Sequence, residues 1–270
     1  MKIIQITDTH FVPPGNTLYG LDPVVRLQRA VADINERHGD VDLVVITGDL
    51  ANDGDEDAYQ LLRETLAPLP CQTRLLLGNH DSRDGFRRIF PDAPVDPRGF
   101  IQSKLMTKDG ALQLLFLDSH EPGTIGGKYC SQRVEWLATE LARAPDVPAV
   151  VFIRHPPFDT GFAHFEHIGF HGPEPLVQAL LDHPAGIRHM FFGHIHIALS
   201  GITDGGISYT SGRGVSHQFI VEPRDPAPHW SSGTGPNYTV ITQQGQGLRA
   251  MQIDTLDAQP LVKSNQNFGP

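Results

Sequence analysis

The chain has 270 residues, a hydrophobic fraction of 39%, a charged fraction of 19% and a formal net charge of -10. That balance fits a globular chain with a sizeable core, arranged as one large domain or two small ones. An acidic chain without a basic stripe is a poor general binder of nucleic acid, and no run is long and apolar enough to span a bilayer; a small anionic substrate stays open, because bound metal ions can supply local positive charge.

Residues 2–7 predict a first strand that ends in Asp8-Thr9-His10. The strand starts directly after Met1, with no apolar region and cleavage site of a signal peptide, so the cytoplasm is the expected compartment. Residues 11–20 form a loop around Pro13-Pro14-Gly15. A helix then opens at Asp22, a capping residue, with Pro23 in the first helical position. Val24, Leu27, Val31 and Ile34 share one of its faces. Residues 42–47 read as the second strand, ending in Gly48-Asp49, and 55–66 as the second helix. The third strand, 73–77, ends in Gly78-Asn79-His80-Asp81. This βαβαβ alternation predicts a parallel sheet with helices packed on it. Cys71 and Cys130 make no disulfide framework and read as free buried thiols.

The pattern then changes. Residues 100–106 and 112–117 predict strands joined by a Lys108-Asp109-Gly110 turn. A helix capped by Ser131 follows, with Val134, Leu137, Ala138 and Leu141 inward. The buried strand 149–153 ends in Arg154-His155-Pro156-Pro157. After a helix at 173–181, the strand 187–192 ends in Gly193-His194-Ile195-His196. Four further strands are predicted at 208–211, 215–221, 238–242 and 248–253. The segment 222–237 is rich in Pro, Gly and Ser and reads as a surface loop at a rim or subunit contact, which leaves a homo-oligomer open. The whole chain, 1–270, reads as one domain with two facing sheets and helices outside.

The strand ends carry the chemistry. Asn and Asp alone would suit a turn, but a His between them at the carboxyl end of an α/β strand is where ligands and metals are held. Residues two apart in a strand point the same way, so Asp8 and His10 can aim at one point, and so can His194 and His196. Gly48, Gly78 and Gly193 each precede a ligand-type residue and allow close backbone approach. The candidate ligands are Asp8, His10, Asp49, Asn79, His155, His194 and His196, with His80 beside them. Imidazole, carboxylate and amide together suit Mn, Fe, Zn or Co better than Ca or Mg. A carboxylate such as Asp49 can bridge two cations, and two metals about 3.5–4 Å apart form a clamp for in-line displacement at phosphorus.

The series Asp8-x-His10, Gly48-Asp49, Gly78-Asn79-His80-Asp81, His155 and Gly193-His194-x-His196 resembles the calcineurin-like metallophosphoesterases in residue type and order. Within them, Thr9-His10-Phe11, Leu18-Tyr19-Gly20 and His155-Pro156-Pro157 are similar to the bacterial class III cyclic-nucleotide and glycerophosphodiester phosphodiesterases. The resemblance implies an α/β fold, a four-layer αββα sandwich with two facing mixed β-sheets. It implies one divalent metal on Asp8, His10, Asp49 and His196, and a second on Asn79, His155, His194 and the bridging Asp49. It makes His80 a catalytic residue outside the ligand set. The branch often has a histidine where this chain has Arg154.

The expected activity is hydrolysis of a small phosphodiester by a hydroxide held between the metals, with His80 protonating the leaving oxygen or stabilising the transition state. A phosphomonoesterase, a nuclease, or a non-catalytic module on the same fold are the other readings. Acidity weighs against extended nucleic acid, and the complete ligand set weighs against a module. His217 and His164 are candidate substrate contacts. His167 and His171 lie in the same loop as His164, and His120 with the run from Gly123 to Gly127 reads as a neighbour of the site or a hairpin turn.

Overall fold

The computed structural model describes residues 1–220, 230–244 and 247–255. The first half runs β1 (Lys2–Ile6), α1 (Pro23–Arg37), β2 (Leu43–Thr47), α2 (Glu56–Leu66), β3 (Gln72–Leu76) and α3 (Arg83–Ile89). Then come β4 (Ser103–Met106), β5 (Gln113–Leu117), β6 (Gly127–Lys128), α4 (Ser131–Ala142), β7 (Ala149–Ile153), α5 (Ala163–Glu166), β8 (Phe170–His171), α6 (Glu174–Leu181) and β9 (Ile187–Phe192). The rest is β: β10 (Leu199–Ile202), β11 (Ser208–Ser211), β12 (Gln218–Ile220), β13 (Trp230–Ser232), β14 (Asn237–Gln244) and β15 (Gly247–Asp254).

One sheet has the order β15-β14-β1-β2-β3, with β1, β2 and β3 parallel and β14 antiparallel to β1. The other has the order β10-β11-β9-β7-β5-β4, with β5, β7, β9 and β11 parallel and antiparallel strands at its edges. Strand alternation divides their side chains between two layers. Ile3, Leu43, Val45 and Leu76 of the first sheet meet Leu114, Phe116, Val150, Phe152 and Phe191 of the second, and this layer locks the sheets face to face. Ile4, Val44 and Ile46 turn the other way, onto Leu27, Val31 and Leu62 of α1 and α2. Leu115, Val151 and Phe192 do the same against Leu137, Leu141, Leu176 and Leu180 of α4 and α6. Both faces of each central strand are therefore buried, which is why β2, β5 and β7 read as continuous apolar runs. Each such side chain contributes about 1.5–3 kcal/mol by leaving water. The result is an αββα sandwich of four layers.

Several local readings change. The helix α3 was not expected: it is short, carries Gly85 inside, and buries only Gly85 and Phe86, so it has no apolar period. A Cβ on Gly85 would lie 3.0 Å from the Gly54 carbonyl, a tight contact that the glycine avoids. Asp22 does cap α1, accepting from the Val24 and Val25 N–H groups. Ser131 does not cap α4: it is the first helical residue, and Cys130 holds the cap position without a side-chain bond. Ala138 faces solvent, because α4 is rotated to bury Arg133 and Glu140 beside Leu137 and Leu141. Cys71 and Cys130 are free thiols but only half-buried. The predicted loop 222–237 contains β13, which pairs with β12, and the start of β14; its residues 222–229 lie outside the described residues, as does Val221 of the strand expected at 215–221. No helix among the described residues is long and apolar enough to cross a membrane.

Candidate metal centre

The loops leaving β1, β2, β3, β5, β7 and β9 meet at one edge of the sandwich and carry the polar residues that interrupt each apolar run. Asp8, His10, Asp49 and His196 converge there: one ligand atom from each lies within 4.8 Å of all the others, and all four side chains are buried. Convergence does not come from strand alternation. β1 ends at Ile6, and Asp8, His10, Asp49, His194 and His196 all have left-handed backbone, with φ between 42° and 73°. Among the described non-glycine residues only Tyr19 shares this conformation. Such positions cost about 1–3 kcal/mol each and persist where the surroundings enforce them. Here they turn Asp8, His10, Asp49 and His196 toward one point and His194 toward His155.

His194 and His196 accordingly do not aim at one point. His196 joins Asp8 and His10, with its Nε2 2.8 Å from Asp8 Oδ1 and 3.2 Å from His10 Nε2. The His194 ring packs against His155 instead, centroids 4.7 Å apart. His155 Nε2 in turn lies 3.3 Å from Asn79 Oδ1. Asp49 stands between the two groups. Its Oδ2 is 3.4 Å from His10 Nε2, and its Oδ1 accepts from the His80 N–H, in the loop that carries Asn79.

The outer nitrogens decide what the inner ones can do. His196 Nδ1–H donates to the His217 carbonyl at 2.9 Å, and His194 Nε2–H to the Ile168 carbonyl at 2.9 Å. A carbonyl only accepts, so the proton sits on that outer nitrogen and the inner one presents a lone pair. His10 Nδ1 pairs with Asn52 Oδ1 at 3.2 Å, and His155 Nδ1 with Ser119 Oγ at 2.8 Å. Burial lowers the pKa of His10, holds His155 well below the imidazole range, and pushes His194 down to about 3. Burial alone would raise Asp8 and Asp49. The Arg154 guanidinium, which bonds both carboxylates, and the surrounding histidines together outweigh it: Arg154 with His196 and His10 holds Asp8, and Arg154 with His10 and His80 holds Asp49, below the usual carboxylate range. Neutral imidazoles and ionised carboxylates that face one another as acceptors are a donor set that fits a divalent cation.

Asp81 fastens the two loops together. Its carboxylate accepts from the Leu50, Ala51 and Gly78 N–H groups and from the Tyr59 hydroxyl. Asp49 and Asn79 are thus held by one buried acid.

His80 lies outside the ligand cluster. Its side chain is exposed, its Nδ1–H donates to the Asn52 carbonyl at 2.6 Å, and its ring packs edge-on against His10 at 4.7 Å. His217 is buried 4.3 Å from the His196 ring, and its carbonyl is the outer partner of His196. His164 packs on Phe165 and Phe219, so the Phe219 ring lies between it and His196. His167 and His171 are exposed. A cleft of about 240 Å³ opens beside His194, lined by Phe158, Phe165, Glu166 and Phe170. Sequence reasoning missed Ser119, although β5 ends in Asp118-Ser119-His120, another polar triplet after an apolar run.

Fold and site together define an α/β enzyme of the metal-dependent phosphoesterase class. The family model for calcineurin-like phosphoesterases matches residues 1–198, and the chain belongs to that family. It is 38% identical, over 97% of its own length and 95% of the relative's, to a probable cyclic nucleotide phosphodiesterase of Rhodopseudomonas palustris. It is 32% identical, over 73% of its length and 71% of the relative's, to a glycerophosphodiester phosphodiesterase, GpdQ, of Enterobacter lignolyticus. A dimetal phosphatase from Danio rerio shares the fold at 13% identity, with a TM-score of 0.70 over 95% of this chain and 97% of that one.

Proposed function

We propose that this protein hydrolyses small phosphodiesters, cyclic nucleotides or glycerophosphodiesters, with two divalent metal ions. The observation that carries the reading is the set of inward-facing acceptor atoms on Asp8, His10, Asp49 and His196, next to Asn79, His155 and His194. Its similarity to a probable cyclic nucleotide phosphodiesterase and to a glycerophosphodiester phosphodiesterase supports a diester rather than a monoester substrate. Asp8, His10, Asp49 and His196 would hold one ion; Asn79, His155, His194 and Asp49 would hold the other. When bound, the pair supplies Lewis acidity that activates water and neutralises phosphoryl charge.

The remaining work falls to the chain. Asn52 and the His217 and Ile168 carbonyls keep the inner nitrogens of His10, His196 and His194 unprotonated. His80, exposed and with Nδ1–H committed to Asn52, turns Nε2 to substrate; in its imidazolium form it gives the Nε2 proton to the leaving oxygen and is left as the neutral Nδ1–H imidazole. His217 and the cleft beside His194 bound the space a substrate would fill.

A hydrolysis screen of the purified protein decides the substrate. Metal-stripped protein is reloaded with Mn, Fe, Zn and Co separately and offered cyclic nucleotides, glycerophosphodiesters, monoesters and single-stranded DNA. The expected result is diester cleavage that returns with metal and is highest on one small diester class. Cleavage of monoesters alone, or none with any metal, would overturn the proposal.

A further inference from the structure

Arg154 follows β7 at the point where it leaves the second sheet, and its side chain crosses toward the first. It is 1% exposed. The guanidinium bonds Asp8 Oδ1 through one terminal nitrogen and Asp49 Oδ2 through the other. These are not spare oxygens. Asp8 Oδ1 is the atom 2.8 Å from His196 Nε2, and Asp49 Oδ2 is the atom 3.4 Å from His10 Nε2. The stem reaches them through a slot made by the motif glycines. A Cβ at Gly48 would come within 2.5 Å of Arg154 Cδ, at Gly78 within 2.8 Å of Nε, and at Gly193 within 2.9 Å of a terminal nitrogen. Three glycines from three loops thus leave room for this side chain, Gly78 also for Asp49 and Gly193 also for Thr7 Oγ1.

We propose that Arg154 is a resident counter-ion of the metal centre: it balances and positions Asp8 and Asp49 when no metal is bound, and metal loading competes with it for the same two oxygens. The inference rests on the metal reading of the site. Two ionised carboxylates buried without a cation are strongly destabilising, and one guanidinium with two prongs answers both. A guanidinium cannot be deprotonated to relieve the competition, so the same contact lowers the affinity of the carboxylates for a divalent ion.

The test uses the full chain stripped with chelator, with Arg154→Met and Arg154→Lys variants. Thermal melting of the metal-free proteins is one readout and Mn(II) affinity by titration calorimetry the other. Metal-free Arg154→Met should melt about 10 °C below wild type. It should bind Mn(II) about 10-fold more tightly, so that saturating metal narrows the gap in melting temperature by about 3–6 °C. Arg154→Lys, with one ammonium for two carboxylates, should fall between in both readouts. Metal-free variants that melt with the wild type, or Mn(II) affinities equal to wild type, would overturn the proposal; if Arg154→Met does not fold even with metal, the lysine variant decides alone. Absence of Mn(II) and Zn(II) binding to wild type would instead defeat the metal reading itself.

Discussion

Ser119 Oγ lies 2.8 Å from Nδ1 of His155, and both residues are fully buried. The same oxygen accepts from the His155 backbone N–H at 3.3 Å. The contact fixes ring orientation and, with Nδ1–H donating to Ser119, leaves Nε2 as the lone pair facing Asn79.

Ser119→Ala should therefore weaken one metal and spare the other. Outer partners of metal-bound histidines are worth about 10–100-fold in affinity. Two-step metal titration should show one site weakened by that order, with the Asp8, His10 and His196 site unchanged. Equal affinities in variant and wild type would remove Ser119 from the centre.

Asp81 gathers three backbone donors and the Tyr59 hydroxyl in a buried pocket. Asp81→Ala leaves those donors without an acceptor, which costs about 3 kcal/mol or more. Tyr59→Phe removes one donor to Asp81 and the acceptor of the Ser82 N–H but leaves the three backbone bonds to Asp81, so a smaller loss of about 2 kcal/mol is expected. Urea unfolding of the metal-free variants measures both. The larger loss should come with weaker metal binding, because Asp49 and Asn79 lose their common anchor.

His189 supplies a pH dependence away from the centre. It lies on β9, its Nε2 3.0 Å from Thr210 Oγ1 and its ring 4.4 Å from Phe191. Burial pushes its pKa down from 6.5 to about 4. The unfolded chain then binds the extra proton first, so stability from neutral His189 is intact above about pH 6.5 and is lost as pH falls toward 4. His189→Gln keeps a hydrogen-bonding group without the titration. Between pH 7.5 and 4.5, the metal-free variant should lose about 2 kcal/mol less stability than wild type. Parallel pH profiles would show that His189 does not contribute.

How far the sequence could be read follows from the range of each interaction. Strand ends were legible because an apolar run that stops at Gly-Asp or Gly-Asn-His-Asp is a local signal. The direction of each ligand was not. Asp8 and His10 converge through left-handed backbone, and alternation along a strand paired His194 with the wrong neighbour. Arg154 stood out only as a departure from a pattern; its bonds to Asp8 and Asp49 span 146 and 105 residues. Ser119 sits 36 residues from His155, and a lone serine carries no periodic mark. The helix α3 escaped because seven residues with one buried side chain larger than glycine show no period.

The last prediction separates the proton donor from the metal centre. His80 touches the cluster through its backbone N–H and the edge of its ring, while its side chain is exposed and anchored on Asn52. His80→Ala should therefore keep its metals, since no inner lone pair is removed. The loss should depend on the leaving group. An alkoxide leaves poorly without a proton, and general acid catalysis contributes about 10²–10⁴-fold. A nitrophenolate leaves well unaided. On a glycerophosphodiester or a cyclic nucleotide the variant should slow by that order, and on bis-nitrophenyl phosphate by far less. Metal analysis and the two rates, measured on the same preparation, check the prediction. Equal slowing on both substrates would assign His80 to charge stabilisation or positioning of the phosphoryl group instead, because those roles act before the identity of the leaving group matters.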